Sequence, residues 1–141
     1  VVHPGAVVIL PFLDAGTILM IRQFRHAPEV ELWELPAGTM EPDEPPIETA
    51  RRELIEETGY RAGSIEPFLE FYTSPGIITE RMCAFLATDL DWVGTQPDDG
   101  ECISVQPTAL ESVRGQFCAG EFHDAKTIAV LGTYFARQGN S

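Results

Sequence analysis

The sequence predicts an α/β fold, a mixed β-sheet with helices packed on both of its faces. Three observations carry that expectation. Several apolar runs have the length of strands, and two C-terminal segments carry the apolar spacing of helices. Among the strand-like runs lies a strongly acidic segment with helix start and stop residues at its ends. With 141 residues, 44% of them hydrophobic, the chain suits one domain around a single core, spanning residues 1–141.

The elements follow in order. Ala6 to Leu13 and Thr17 to Phe24 are apolar runs separated by Asp14-Ala15-Gly16, which reads as a hairpin. A polar loop with Pro28 follows, and Leu32 to Leu35 then leads into Pro36-Ala37-Gly38. In the acidic segment, Pro45 and Pro46 suit a first helical turn, whose N–H groups have no partner within the helix. Gly59 suits its C-terminal stop. Glu44 and Glu48 lie where the positive end of the helix dipole favours acids, and Ile47, Ala50 and Leu54 recur at the spacing of a core-facing stripe. Ile65 to Thr73 and Met82 to Thr88 read as further strands, and Glu101 to Val105 as the last one. Thr108 to Phe117 and Asp124 to Arg137 read as helices, with Gly120 as a stop between them.

Nine basic residues stand against twenty-two acidic ones, a net charge of −13. That argues against a broad nucleic-acid-binding surface. It leaves room for a small phosphate ligand, because a bound metal inverts the local field. No apolar run is long enough to cross a bilayer and no signal-peptide pattern opens the chain, so no membrane partner is expected. Val1 to Leu10 reads as a strand already under way, which suggests natural residues upstream. Cys83, Cys102 and Cys118 show no C-x-x-C spacing and read as reduced, small core residues of a cytoplasmic protein. The three histidines read as surface or capping residues, and Trp92 as a loop anchor.

The chemistry concentrates in Gly38 to Tyr60, GTMEPDEPPIETARRELIEETGY. At about 100° per residue, Glu53, Glu56 and Glu57 fall on one stripe of the helix. Three carboxylates so placed repel each other unless a positive charge sits among them, and their oxygens are the hard ligands that Mg2+ or Mn2+ prefers. A solvated surface helix also accounts for the charges: Glu48 with Arg51 or Arg52, and Arg52 with Glu56, make weak surface pairs. Charge pattern alone leaves both readings open.

The spacing of the whole segment resembles the Nudix box, G-x5-E-x7-R-E-U-x-E-E-x-G-U with U a bulky aliphatic residue. Gly38, Glu44, Arg52, Glu53, Leu54, Glu56, Glu57 and Gly59 fit it, and Tyr60 departs from it only in being aromatic. The resemblance implies a Nudix-type α/β/α sandwich and hydrolysis of a nucleoside diphosphate linked to another group. It implies Glu53, Glu56, Glu57 and the carbonyl of Ala37 as ligands of Mg2+, with Mn2+ as a substitute. Arg52 would orient the neighbouring glutamates, and Glu44 would support the geometry of the loop and helix.

Outside the box, the chain resembles the ADP-ribose pyrophosphatase group of that family. Pro75 and Gly76, in Ser74-Pro75-Gly76, follow the box at that group's spacing, and without the box they read as an ordinary turn. Arg22-Gln23-Phe24-Arg25 with Leu32-Trp33-Glu34-Leu35-Pro36-Ala37-Gly38 resembles the segments that precede the box, and Gly120 to Thr127 resembles the start of the last helix. By residue chemistry alone, Arg25 reads as a surface arginine paired with an acid; the resemblance implies that its fork contacts phosphate. Glu34 is by default a strand-end acid, and by resemblance a substrate-side carboxylate. Glu101, in Asp98-Asp99-Gly100-Glu101, reads either as part of a solvated loop or as the base that positions water. Glu80 is a weaker candidate for metal or substrate support. The substrate implied is a nucleoside diphosphate sugar, with ADP-ribose first and GDP-mannose as the alternative. A non-catalytic nucleotide-sensing module is a further alternative, and a homodimer is the implied assembly.

Overall fold

The computed structural model describes residues 5–25, 30–73, 80–94 and 103–139, with the side chains at 24, 25, 30, 31 and 103 outside that description. The chain opens with β1 (Ala6–Asp14) and β2 (Thr17–Arg25), joined by a turn in which Gly16 N–H donates to Asp14 Oδ1 at 2.9 Å. Next come β3 (Val30–Glu34), β4 (Ala37–Thr39), α1 (Pro46–Thr58) and the long ribbon of β5 (Tyr60–Tyr72) and β6 (Arg81–Trp92). The remaining elements are β7 (Ile103–Ala109), α2 (Leu110–Cys118) and α3 (Ala125–Gln138).

Among the described residues the strands form one seven-stranded sheet in the order β3-β2-β1-β6-β5, with β4 pairing β1 and β7 pairing β2. The sheet is mixed, because Ala6 to Pro11 of β1 runs parallel to Met82 to Ala87 of β6 while the other pairs are antiparallel. Alternation along β1 sorts its side chains between two cores. Val7 and Ile9 pack with Ala50 and Leu54 of α1, whereas Val8 and Leu10 pack with Val113, Val130, Leu131 and Phe135 of α2 and α3. A strand buried on both faces needs apolar residues at every position, hence the unbroken run from Ala6 to Leu10. The expected α/β/α sandwich is the observed one.

Boundaries differ from expectation where pairing overrides pattern. β5 starts at Tyr60 rather than Ile65, and β6 continues to Trp92 rather than Thr88. Tyr60↔Trp92, Arg61↔Asp91 and Ala62↔Leu90 are ladder pairs at an end with little apolar alternation to announce it. Trp92 is therefore a strand residue, 62% exposed and edge-on to Tyr60, and not a loop anchor. The last strand runs on to Ala109, and α2 starts at Leu110 rather than Thr108, because Thr108 and Ala109 pair with Ile18 and Thr17. Cys83 is buried, but Cys118, the last residue of a helix in which only Val113 is buried, is exposed, correcting the core expectation there. No helix among the described residues is long and apolar enough to cross a membrane.

Candidate active site

Glu44 sits just before α1 and organises its start. Its Oε1 accepts from Thr49 Oγ1 at 2.6 Å and from Glu41 N–H at 3.2 Å, and Arg52 closes a fork on it through Nε and Nη2, both at 3.0 Å. With Arg52 as the main cause, the Glu44 carboxyl is held at about 2, far below its ordinary range. The same guanidinium donates to Glu53 Oε1 at 2.7 Å, to Glu56 Oε2 at 3.4 Å and to the Thr39 carbonyl at 3.3 Å. Arg52 thus ties the helix entrance, the next two turns and the end of β4 together.

At the far end of α1 the environment reverses. Gly59 adopts φ 80° and its N–H caps Ile55, so the helix stops directly after Glu57 and Thr58. No basic residue lies in that last turn. Glu57 is half-buried, and burial chiefly raises its carboxyl to about 8, with the charge of Glu53 adding to the shift and the Ala37 amide opposing it. Ala37 N–H donates to Glu57 Oε1 at 2.7 Å. Glu53 is pushed up as well, first by burial and then by Glu56, against the pull of Arg52. Gly38 lies so close to Glu53 that a Cβ there would overlap the Glu53 carboxylate. Glycine is needed at 38 for that close approach.

The structure therefore brings Ala37, Gly38, Arg52, Glu53, Glu56 and Glu57 together at the junction of β4 with the second half of α1. Among the described residues no three acidic, histidine or cysteine side chains already converge into a cage. Glu53 is turned to Arg52 and Glu57 to the Ala37 amide. The donors nevertheless fit a hard divalent cation: they are all carboxylate or peptide oxygens, and two of the carboxylates, Glu53 and Glu57, are held where ionisation is opposed by burial and by a neighbouring glutamate.

Beneath the junction lies a polar network of which sequence reasoning singled out only Glu34, and that as a substrate-side carboxylate. Glu34, at the end of β3, is 1% exposed, and its Oε1 accepts from Lys126 Nζ at 2.7 Å. Lys126 also donates to both oxygens of Asp124, at 2.9 and 3.0 Å. Asp124 caps α3 by accepting from Thr127 N–H at 3.1 Å and from Thr127 Oγ1 at 2.6 Å. The charge of Lys126 favours ionised Glu57, while that of Glu34 opposes it, so the network is within electrostatic reach of the junction. The available signal was composition: Lys126 is the only lysine in a chain of charge −13.

Most of the other candidates fall outside the described residues. Arg25 closes β2, but its side chain lies outside the described residues, as do Pro75, Gly76 and Glu101, and likewise His3, His26 and Cys102. Glu80 precedes β6, and its carbonyl accepts from Thr73 N–H at 3.1 Å. Arg22 lies over the Trp33 ring, 5.7 Å from its centroid.

The NUDIX domain, as a sequence family, matches residues 2–129. This chain belongs to the NUDIX family. The ADP-ribose pyrophosphatase of Bacillus subtilis (strain 168) is 42% identical over 131 residues, covering 92% of this chain and 71% of that protein. The GDP-mannose pyrophosphatase of Cronobacter sakazakii (strain ATCC BAA-894) is 37% identical over 140 residues, covering 90% and 71% respectively. A crystal structure of an ADP compounds hydrolase superposes with a TM-score of 0.84 at 24% identity, over 97% of this chain and 75% of that one, which is a likeness of fold. The chain is a Nudix hydrolase, of a family that generally uses divalent metals.

Proposed function

We propose that this Nudix hydrolase cleaves the pyrophosphate of ADP-ribose, giving AMP and ribose 5-phosphate, with Mg2+ as its metal and Mn2+ as a substitute. The observation that carries the chemistry is the acidic junction, where Glu53 and Glu57 meet Ala37 and Gly38. The substrate is supported by the 42% identity to an ADP-ribose pyrophosphatase across 92% of the chain. GDP-mannose is the second reading, favoured by the 37% identity to a GDP-mannose pyrophosphatase over a similar span. The full carboxylate set stands against a module that only senses nucleotides.

In the reaction, water attacks one phosphorus, the bond from that phosphorus to the bridging oxygen breaks, and the bridging oxygen leaves with the other phosphate. A divalent cation held by Glu53, Glu56, Glu57 and the Ala37 carbonyl supplies positive charge to the diphosphate and Lewis acidity to the water. Arg52 holds Glu53 and Glu56 on one face of α1 and anchors that face to Thr39. The roles of Arg25 on the diphosphate, of Pro75 and Gly76 beside the substrate, of Glu34 on the substrate side and of Glu101 as acceptor of the water's proton rest on the family resemblance. The same resemblance supports a cytoplasmic homodimer.

A panel of ADP-ribose, GDP-mannose, NADH and dinucleoside polyphosphates, assayed with Mg2+ for released monophosphate, tests the reading. ADP-ribose is expected to turn over fastest. Faster cleavage of GDP-mannose would overturn the substrate, and tight binding without turnover of any compound would overturn the activity. Replacing Glu101 by Gln is expected to lower kcat with little change in metal affinity; full activity in that variant would remove Glu101 as the base.

A further inference from the structure

Four consecutive residues, from the last of β3 to the first of β4, are each held by a different group. Glu34 Oε1 accepts from Lys126 Nζ at 2.7 Å, and Leu35 N–H donates to Thr127 Oγ1 at 3.1 Å. The Pro36 carbonyl accepts from Ile9 N–H at 2.8 Å, and Ala37 N–H donates to Glu57 Oε1 at 2.7 Å. Two of these anchors come from the first turn of α3, and Asp124 orients both, through Lys126 Nζ and through Thr127 Oγ1. A continuous path of short contacts therefore runs from the cap of α3 to the carboxylate of Glu57.

Lys126 is the charged member of that path. Burying a carboxylate as deeply as Glu34 is costly unless it is paired and hydrogen-bonded, and Lys126 Nζ supplies a charged donor at 2.7 Å. The Lys126 side chain is itself only 16% exposed, so this pair is not a solvent-screened surface contact. Removing its charge would take away the charged anchor of the Glu34 side chain, two residues before Pro36 and three before Ala37. We propose that Lys126, oriented by Asp124, is a positioning residue for the metal-binding junction: its ion pair with Glu34 fixes the turn that carries Ala37 and thereby sets the affinity for a divalent cation. This inference rests on the metal reading given under the proposed function.

A purely stabilising role for Lys126 has a built-in control. Arg137 ties the same helix to β5, donating Nη1 to the Phe68 carbonyl at 3.1 Å and lying 4.6 Å from the Phe68 ring centroid. It anchors α3 to β5 and makes none of the four contacts of the turn.

The experiment measures Mn2+ affinity of the full chain, by calorimetry or by the electron paramagnetic resonance of free Mn2+, together with Tm. Lys126→Met is expected to weaken Mn2+ binding by about 10- to 100-fold, as loss of an outer support of a metal ligand does. Lys126→Arg should recover most of that affinity, while Arg137→Met should lower Tm and leave Mn2+ binding unchanged. Wild-type affinity in Lys126→Met overturns the inference, and so does equal weakening in Arg137→Met at equal loss of Tm. Should Lys126→Met fail to fold, the double variant Glu34→Gln, Lys126→Met removes the buried carboxylate charge together with its lysine. It is expected to fold and still bind Mn2+ weakly; wild-type affinity in it also overturns the inference. A wild-type chain that binds no Mn2+, or binds it equally after Glu57→Gln, overturns the metal reading and this inference with it.

Discussion

At the entrance of α1, Glu44 is surrounded by donors, with Thr49, the Glu41 amide and both arms of the Arg52 fork directed at its two oxygens. At the exit, Glu57 receives the Ala37 amide in a half-buried position next to Glu53. The same side chain is held at about 2 in the first place and raised to about 8 in the second. The first carboxylate is satisfied by the protein and acts as architecture. The second is left short of positive charge, which is the state expected of a ligand before its cation arrives. The fourteen residues from Glu44 to Glu57 thus hold a structural acid and a functional one, and the environment alone tells them apart.

The sharpest way to break that comparison is Glu57→Gln. Under the proposed mechanism, kcat for ADP-ribose at saturating Mg2+ is expected to fall by at least about 100-fold, the upper end of what even an indirect support of a metal site costs. The metal-free protein should fold as well as wild type, since an amide carries no charge to bury. Release of AMP and a melting curve check both halves. A variant with near-wild-type turnover would mean that Glu57 is merely a buried acid.

The second test is pH. The folded value of Glu57, about 8, lies above its ordinary 4.5, so its contribution to the stability of the metal-free chain is fully present below 4.5 and is lost as pH rises through 8. Glu44 has the opposite sign: its contribution is present above 4.5 and is lost as pH falls towards 2. A cation bound at Glu57 must displace the proton, so Mg2+ affinity is expected to rise by up to about tenfold per pH unit between 5 and 8 and then level off. Calorimetry in buffers of different ionisation enthalpy would show proton release in wild type and less of it in Glu57→Gln. Affinity independent of pH over that range would contradict the assignment.

How far this contrast was legible in the sequence depends on how local its causes are. Pro46 and Gly59 mark α1 because helix ends are local chemistry, and the three-residue stripe of glutamates follows from helical geometry. The sheet was legible where one or both faces are buried, as in β1, and illegible where strands run on into solvent, as from Tyr60 to Ala62 against Leu90 to Trp92. β4 escaped because three residues carry no pattern of their own; pairing with Ala6 to Val8 makes them a strand. In the candidate site, the spacing of the box brought the carboxylates into view, but neither the opposite acidities of Glu44 and Glu57 nor the network under the junction could be read. Both depend on burial and on contacts such as Lys126 with Glu34, 92 residues apart.

Arg52→Lys probes the residue that links the two ends of the helix. A lysine keeps the charge but cannot fork onto Glu44 while also reaching Glu53, Glu56 and the Thr39 carbonyl. The expected loss in kcat/KM is about tenfold, accompanied by a lower Tm, because site and architecture share this one guanidinium. A drop in Tm with unchanged kinetics would show that Arg52 serves only the entrance.

Glu44→Gln should have the smallest effect on catalysis and the most diagnostic effect on stability. The amide keeps the shape of the side chain and one acceptor oxygen, but it gives up the charge-assisted fork with Arg52. If Glu44 is architecture, kcat/KM for ADP-ribose stays within a few-fold of wild type, well short of the losses at Glu57 and Arg52. The Tm difference between wild type and Glu44→Gln should be largest near neutral pH, shrink below about 4.5 and close towards about 2, following protonation of the wild-type carboxyl. A Tm difference that persists at pH 2 would mean that the geometry of the carboxylate matters and its charge does not. Activity lost as severely as in Glu57→Gln would place Glu44 in the chemistry itself, and the distinction between the two ends of α1 would collapse.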